Sequence, residues 1–172
     1  MTNHGIPHMT KAGSTFRRLL GSAAFAVSMT LLAASPGQAQ SGPFAHLAGA
    51  WSGTGQILIK DGGSERIRCR ATYTVEGAGL SQVLRCASDS YRFDLTTNVT
   101  ASGNNLSGTW SETSRNVNGS LGGKVNGGEI DALVEANGFA ASLSMRTSGN
   151  KQTIAIRSQN TDLRGVDITL TR

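Results

Sequence analysis

The chain has 172 residues, of which 38% are hydrophobic, 16% are charged and 5% are aromatic. Three of its 16 basic residues and none of its 11 acidic residues lie in residues 1–39, so the remaining 133 residues carry a net charge near +2. That length fits one domain with one core. So weak a net charge removes most of the support for a nucleic-acid partner, which needs a concentrated basic stripe.

Residues 1–39 have the organisation of a secretory signal peptide. Lys11, Arg17 and Arg18 form a basic segment, the uncharged apolar run Leu19–Leu32 follows, and small residues precede a cleavage point after Ala39. The run is shorter than the ~20 residues of a membrane-spanning helix, and no later apolar run is long enough. We therefore predict a helical, cleavable signal peptide, a periplasmic or secreted bacterial protein, and no transmembrane anchor in the mature chain.

The mature chain is predicted to consist of an N-terminal lead-in at 40–48 and a β-domain at 49–172. Apolar and polar residues alternate with a period of two, and turn residues interrupt the alternation about every 8–12 positions. The pattern predicts ten strands, which in chain order cover 51–60, 65–75, 80–88, 91–99, 106–110, 117–125, 130–134, 139–145, 152–156 and 166–170.

The predicted strands are joined by short connections, except for a longer loop at 158–165. The glycine pairs 62–63, 122–123 and 127–128 are assigned to turns or bulges, because no helix follows them. Short connections make sequential strands antiparallel neighbours. Strands with one apolar face must close or stack to protect their edges, so we predict an all-β fold, a single antiparallel up-and-down β-barrel of about 8–10 strands, with a two-sheet β-sandwich as the alternative.

An outer-membrane barrel is a third architecture, because alternation alone does not tell which face of a barrel is apolar. The low aromatic content and the short strands disfavour it, since membrane barrels carry aromatic girdles at both interfaces. The sequence therefore favours an apolar inner face and a polar outer face.

The two cysteines, Cys69 and Cys86, predict how the second and third strands pair. If their hairpin is centred between Gly77 and Ala78, Cys69 faces Cys86, and the apolar residues of both strands share one face. Directly opposed residues are close enough for a disulfide. We predict a structural disulfide, since export favours oxidised cysteines and no C-x-x-C redox motif is present. Two buried free thiols are the alternative.

The first strand opens with Gly49-Ala50-Trp51, and a related Gly-x-Trp sequence recurs at Gly108-Thr109-Trp110. This motif resembles the Gly-x-Trp start of lipocalin-type and related calycin barrels. The resemblance implies that the glycine lets the chain bend into the barrel and that the tryptophan plugs its closed end. The alternative is that both tryptophans are ordinary core residues.

Four further segments carry a second resemblance: Glu65–Tyr73, Leu84–Ser88, Ser107–Glu112 and Gly149–Gln152. Together with the Gly-x-Trp-Ser-Gly start, they are similar to a family of uncharacterised exported small β-proteins of rhizobia and other alphaproteobacteria. The similarity covers nearly all of 44–172. It implies an exported small protein with a paired cysteine, and it transfers no site residue.

Catalytic and cofactor-binding patterns are missing from the mature sequence. His46 is its one histidine, which leaves nucleophile–base triads and histidine metal sites without their usual residues. Haem would need a ligand such as Tyr73, Tyr91 or Met145, and the late histidine of nitrobindin-like barrels, which share a Gly-Trp start, is lacking. The carboxylates, among them Glu112, are scattered. We therefore expect no metal, haem or nucleotide cofactor and no enzymatic activity.

The first hypothesis about function places a small apolar ligand inside the barrel. Barrels of eight strands either fill with side chains or hold one small ligand, and ten strands leave more room. The candidate lining residues are the large inward side chains Trp51, Tyr73, Tyr91, Phe93, Trp110, Phe139, Leu143 and Met145.

The second hypothesis places a protein of the cell envelope on an outer sheet face, in the manner of small exported protease inhibitors. The alternation puts Arg68 and Arg70 outward, with Arg70 facing Arg85 and Arg66 facing Asp89 in the predicted register. Like charges directly opposed on a sheet cost stability. An anionic ligand, lipopolysaccharide, a protein partner or nearby acidic residues would offset that cost, and a solvated face of flexible side chains is the alternative.

Overall fold

A computed structural model describes residues 42–158 and 161–172 of the chain. The predicted signal peptide lies outside the described residues. One short 3-10 helix, Ala45–Leu47, precedes ten strands, which are β1 Gly49–Ile59, β2 Ser64–Glu76, β3 Gly79–Ala87, β4 Arg92–Ser102, β5 Asn105–Glu112, β6 Val117–Asn126, β7 Glu129–Ala136, β8 Phe139–Ser148, β9 Lys151–Ser158 and β10 Leu163–Thr171.

The ten strands form one closed antiparallel barrel in which each strand pairs with its neighbours in sequence. Strands β1 and β10 close the ring, with a register that runs from Ser52 opposite Thr171 to Leu58 opposite Gly165. The predicted up-and-down barrel is confirmed, and the β-sandwich alternative is wrong. Closure removes the unpaired strand edges that an open sheet of this size would have to protect.

The hairpin of β2 and β3 has the predicted register. Cys69 pairs with Cys86 and forms a disulfide, with the two Cα atoms 4.1 Å apart. The turn between the strands places Gly77 at a φ of 57°, a left-handed conformation that glycine adopts without steric cost. The cysteine pair is therefore a structural crosslink within one hairpin.

The predicted pairing of Arg66 with Asp89 is wrong, because the hairpin of β2 and β3 ends earlier. The last pair joins Arg68 to Ala87. Beyond it, the Ser88 amide donates to the Tyr91 carbonyl at 2.9 Å, which turns the chain away from β2. Arg66 lies instead opposite Gln56 of β1.

Two other local predictions differ from the structure. The pair Gly122 and Gly123 lies in the regular interior of β6, where it pairs with β5 and β7 without a register shift. The predicted loop at 158–165 is shorter, because β10 begins at Leu163. Leu58 of β1 pairs with Gly165 and the next residue, Ile59, pairs with Leu163, so Arg164 is an extra, bulged residue of β10. The alternation that marks a regular strand is therefore broken at the start of β10.

The inner face of the barrel is apolar, and the outer face is polar. Buried apolar side chains from all ten strands form the core. Among the described residues, the exposed large hydrophobic side chains are Val83, 38% exposed, and Leu133, 48% exposed. This is the reverse of the arrangement that the outer-membrane alternative requires. Within residues 42–158 and 161–172, no helix has the length and apolar composition that crossing a bilayer requires.

The two ends of the barrel differ. At the end where β1 begins, here called the closed end, the 3-10 helix covers the interior, and Phe44, Leu47 and Trp51 are at most 2% exposed. The Trp51 indole N–H donates to the Leu47 carbonyl at 2.7 Å, which ties the helix to β1. Trp51 thus occupies the position that the calycin resemblance implies. The opposite end, where β1 ends, is here called the open end.

Candidate ligand site in the barrel interior

The eight lining residues predicted from the sequence all lie on the inner face, but they separate into two groups. Four are buried in the core, and these are Trp51, Tyr73, Trp110 and Met145. Four keep a solvent-exposed fraction in the open half of the barrel, and these are Tyr91, Phe93, Phe139 and Leu143. The second group therefore faces accessible space, whereas most of the first group fills the closed end.

Solvent reaches the inner face well beyond the rim of the open end. Leu121 and Leu143 lie in the middle of their strands, and Ile156 lies opposite Leu143 on β9. All three are inward, and all three are only half-buried. Fully packed interiors leave little surface on central inward side chains, so the open half of the barrel encloses accessible space.

The Trp110 indole lies along the barrel wall. The indole N–H donates to the carbonyls of Ser120 at 3.1 Å and Glu135 at 3.3 Å, both on the neighbouring strands β6 and β7. Gly119 makes this possible, because a Cβ atom there would lie 2.6 Å from the Trp110 indole nitrogen. Phe139 meets the indole edge-on, with ring centroids 6.1 Å apart.

A group of hydrogen-bonded polar side chains crosses the interior toward the closed end. The Tyr73 hydroxyl donates to Gln152 Oε1 at 2.7 Å, and Gln152 Nε2 donates to Thr147 Oγ1 at 3.2 Å. Gln82 Nε2 donates to the Tyr73 hydroxyl at 3.2 Å. Burial raises the pKa of Tyr73, so the phenol stays neutral and keeps its proton for Gln152.

Two polar atoms in this region have no partner among the described residues. Gln82 Oε1 and Thr97 Oγ1 make no hydrogen bond there, although both side chains are inward and directly opposite each other on β3 and β4. In the described part of the chain, no buried polar side-chain atom lacks a partner. Both oxygens therefore keep some exposed surface, although Thr97 as a whole is only 9% exposed.

The open end carries an aromatic pair and a cation. The rings of Tyr91 and Phe93 are parallel, with centroids 6.3 Å apart, and the Arg115 guanidinium lies 4.9 Å from the centre of the Phe93 ring. Arg115 also donates to the Arg92 carbonyl at 2.9 Å. The rim of the interior is thus partly apolar and carries one fixed positive charge on this side.

Glu112 is the inward carboxylate that holds this rim in place. Its oxygens accept the backbone N–H groups of Asp94 at 3.0 Å, Ser114 at 3.2 Å and Arg115 at 2.8 Å, and its Oε2 lies 3.6 Å from the Arg115 guanidinium. Burial acts to raise the pKa of Glu112, but the hydrogen bonds from Ser114 and the backbone outweigh it and lower the pKa below the usual value. Glu112 is therefore an ionised structural group at pH 7.

The predicted surface residues Arg68, Arg70 and Arg85 lie outward, as expected, and Arg70 faces Arg85. Asp94 on β4 partly offsets this pair, with Oδ1 3.6 Å from Arg85 Nε. Arg66, Arg68 and Arg70 form no ion pair with any described residue. These three and Arg85 are here called the arginine face.

Two shallow grooves lie on the outer surface rather than in the interior. One, of about 540 Å³, crosses β1, β10, β9 and β8 and is bordered by Arg66, Arg146 and Asp167. The other, of about 500 Å³, crosses β2 to β5. Both are lined largely by the hydroxyl and charged side chains of the solvated face and by strand backbone. We place the candidate site inside the barrel, where apolar walls and unpaired acceptors meet.

Metal ligands do not converge in the described parts of the chain, where no three His, Cys, Asp or Glu side chains come together. His46 lies in the 3-10 helix at the closed end. Burial, and secondly the charge of Arg172, lower the pKa of His46, so the imidazole is neutral at pH 7.

Sequence reasoning missed Gln82 and Thr97 in the interior and Arg115 at the rim of the open end. A signal for Gln82 was present: it occupies an inward position between Leu80 and Leu84, where alternation calls for an apolar side chain. Thr97 and Arg115 carried no such signal, because threonine is common on either face of a strand and Arg115 lies in a turn.

Comparisons with known proteins bear on the fold. No family model matches the chain, and no curated protein matches it. The solved structure of Rv2717c from M. tuberculosis superposes with a TM-score of 0.63 at 12% identity, over 77% of this chain and 98% of that one. The S-type phycobiliprotein lyase CPES from Guillardia theta superposes with a TM-score of 0.56 at 10% identity, over 75% and 89% of the two chains. These similarities show that this chain shares its barrel fold with both proteins.

Proposed function

We propose that this protein binds a small apolar molecule inside its barrel and that the molecule enters through the open end. One observation carries the proposal: inward apolar side chains of the open half, such as Leu121, Leu143 and Ile156, remain partly exposed while the closed end is sealed. Burying such surface against an apolar ligand is favourable by about 25 cal/mol per Å². Calycin-like neighbours of known structure have the same barrel.

A lyase shares the fold, so the fold alone does not separate binding from catalysis. Binding is favoured by the state of the interior polar groups. Glu112 accepts backbone hydrogen bonds and lies near Arg115, and Tyr73 is held neutral between two glutamines. Neither group is poised to exchange a proton near pH 7, which general acid–base catalysis requires.

A dye titration with two matched variants tests the proposal. Leu143 is inward and half-buried, whereas Leu133 is outward and 48% exposed. Leu143→Trp fills the interior, and Leu133→Trp adds the same side chain outside. A neutral fluorescent apolar dye should bind the parent protein and Leu133→Trp equally, and Leu143→Trp at least tenfold more weakly. Equal binding by all three proteins would show that the dye sits on the surface.

Export to an oxidising compartment is part of the same proposal. The disulfide between Cys69 and Cys86 supports it, since such bonds persist outside the cytosol. We propose a periplasmic or secreted protein that begins at residue 40 after cleavage. Mass spectrometry of the protein from osmotic-shock fluid should give the mass of 40–172; recovery of the uncleaved chain from the cytoplasm would contradict export.

A second candidate function is binding of an envelope protein through the arginine face. The observation that favours it is the row of Arg66, Arg68 and Arg70 at successive outward positions of β2 without acidic partners among the described residues. Complementary charge would fix orientation and speed association with an acidic partner.

Charge-matched variants test this candidate. One replaces Arg68, Arg70 and Arg85 by Gln, and the control replaces the exposed Lys60, Lys124 and Lys151 by Gln, with the same loss of three charges. Capture of an envelope protein by the parent and the lysine variant but not by the arginine variant supports a specific arginine contact. If both variants lose capture equally, the binding depends only on the net charge of the protein, and the candidate function is rejected.

A further inference from the structure

We propose that the interior is selective for an apolar molecule that carries one uncharged N–H or O–H donor, with Gln82 and Thr97 as the acceptors. The inference rests on the proposed interior-binding function and names the chemistry of its ligand. The acceptors lie in the middle of the barrel, so the apolar body of the ligand would extend toward the open end.

The hydrogen bonds of Tyr73 orient the Gln82 amide. Tyr73 has a single hydroxyl proton, which it donates to Gln152 Oε1 at 2.7 Å. Gln152 is fully buried, and its amide nitrogen donates in turn to Thr147 at 3.2 Å. The Tyr73 oxygen is left to accept, and Gln82 Nε2 donates to it at 3.2 Å. Since the amide nitrogen faces Tyr73, Gln82 presents its oxygen, an acceptor, to the remaining space.

The Thr97 hydroxyl oxygen is a second hydrogen-bond acceptor beside Gln82. It lies directly opposite Gln82 across the β3–β4 pair, with its own hydroxyl oxygen free of partners among the described residues. Trp110 is the next inward residue across from Thr97, on β5, and its indole lies along the wall over Gly119. A ligand donor at the two acceptors would therefore place its adjoining atoms against the Trp110 side of the interior.

The donor must be uncharged. The inward neighbours of Gln82 and Thr97 across the strands are Tyr73 and Trp110, and along the strands they are Leu80, Leu84, Leu95 and Val99; none of these is ionised. The inward carboxylate Glu112 lies at the open end and is already engaged by Arg115 and backbone N–H groups. A cation buried at the acceptors would lack a counter-charge, which is costly. Phenols, indoles, pyrroles, alcohols and secondary amines on aromatic rings have the required chemistry.

Two nearly isosteric probes test the inference. N-phenyl-1-naphthylamine has one N–H between two aromatic groups, and 1-benzylnaphthalene has a methylene group in its place. The amine is measured by its fluorescence, and the hydrocarbon by displacement of the amine. One hydrogen bond to a neutral acceptor should make the amine bind about fivefold more tightly to the parent protein.

Three variants locate the effect. Gln82→Met and Thr97→Val remove the acceptors with little change in volume, and Gln56→Met removes an outward glutamine on β1 as the matched control. We expect the fivefold preference to fall to about onefold to twofold in Gln82→Met, to shrink in Thr97→Val, and to remain in Gln56→Met. Melting curves of each variant establish that it is folded.

Failure of the donor recognition and failure of interior binding would give different results. If both probes bind the parent equally, or if the preference persists in Gln82→Met and Thr97→Val, the proposed donor recognition is wrong while interior binding stands. If neither probe binds the parent, and Leu143→Trp changes nothing, interior binding itself is wrong and the donor recognition falls with it.

Discussion

The Arg172 guanidinium lies 4.7 Å from the centre of the Trp51 ring and donates to the Ala48 carbonyl at 3.0 Å. Trp51 in turn donates to the Leu47 carbonyl. The Arg172 side chain, which follows β10, therefore contacts both the first strand and the residue that joins this strand to the 3-10 helix. The closed end is held by contacts between the two ends of the barrel sequence.

Removing the Arg172 side chain should loosen the closed end. We expect Arg172→Met to lower the free energy of unfolding by about 1–2 kcal/mol, from the lost cation–π contact and hydrogen bond. Urea unfolding measures the change. Arg164→Met, a change at an exposed arginine of β10, is the control and should stay within about 0.5 kcal/mol. Equal effects in the two variants would contradict a specific role for Arg172.

The disulfide should stabilise the barrel mainly through the unfolded state. Cys69 and Cys86 are 17 residues apart, and closing a loop of that size contributes about 3 kcal/mol in the chain-entropy model. We expect the double variant Cys69→Ala, Cys86→Ala to lose about that much in urea unfolding. The parent protein with its disulfide reduced should lose a similar amount. A loss confined to the alanine variant would assign the effect to packing instead.

Gly119 should be intolerant of a side chain, although Gly122 on the same strand should accept one. A Cβ atom at Gly119 would lie 1.9 Å from the Glu135 carbonyl oxygen and 2.6 Å from the Trp110 indole nitrogen, whereas one at Gly122 meets nothing closer than 3.9 Å. We expect Gly119→Ala to cost about 1–3 kcal/mol through overpacking and to shift the tryptophan fluorescence. We expect Gly122→Ala to leave the free energy of unfolding and the tryptophan fluorescence unchanged. Similar costs at the two positions would mean that Gly119 is not crowded by Glu135 and Trp110, and unchanged fluorescence in Gly119→Ala would contradict the contact with Trp110.

Glu112 should make stability depend on pH in the acid range. Its pKa is lowered in the folded protein, so its contribution is present above the usual value of 4.5 and is lost as the pH falls below that value. We expect Glu112→Gln to be about 2 kcal/mol less stable at pH 7, with the difference shrinking below pH 4.5. The exposed Glu135→Gln is the control. A difference that grows at low pH would reverse the assigned direction of the pKa shift.

The sequence was sufficient for the fold because the barrel consists of successive hairpins. The alternation of Cys69 with its neighbours and the glycine at the turn determined the β2–β3 register without tertiary information. Where a strand was irregular, the same reasoning failed. The β10 start at Leu163 was missed because the bulge at Arg164 breaks the alternation of that strand. Gly122 in β6 was misread because glycine pairs usually mark turns.

The site was harder to predict than the fold. The alternation of apolar and polar residues predicts that Tyr73 and Phe93 are both inward, but it does not predict how far each lies from the closed end. That distance depends on how the strands are staggered around the closed ring, which is a property of all ten registers together. The separation of Tyr73 in the core from Phe93 at the open end therefore appears only in three dimensions.

Closure of the ring by β1 and β10 also limits how another protein can bind. Every strand from β1 to β10 already pairs on both sides, so the backbone donors and acceptors along the strands are committed to neighbours within the barrel. A peptide cannot extend this sheet by adding a strand, which is a common mode of recognition in open sheets. A partner must engage side chains such as those of the arginine face, or the loops at either end, and a single substitution there can abolish its binding without unfolding the barrel.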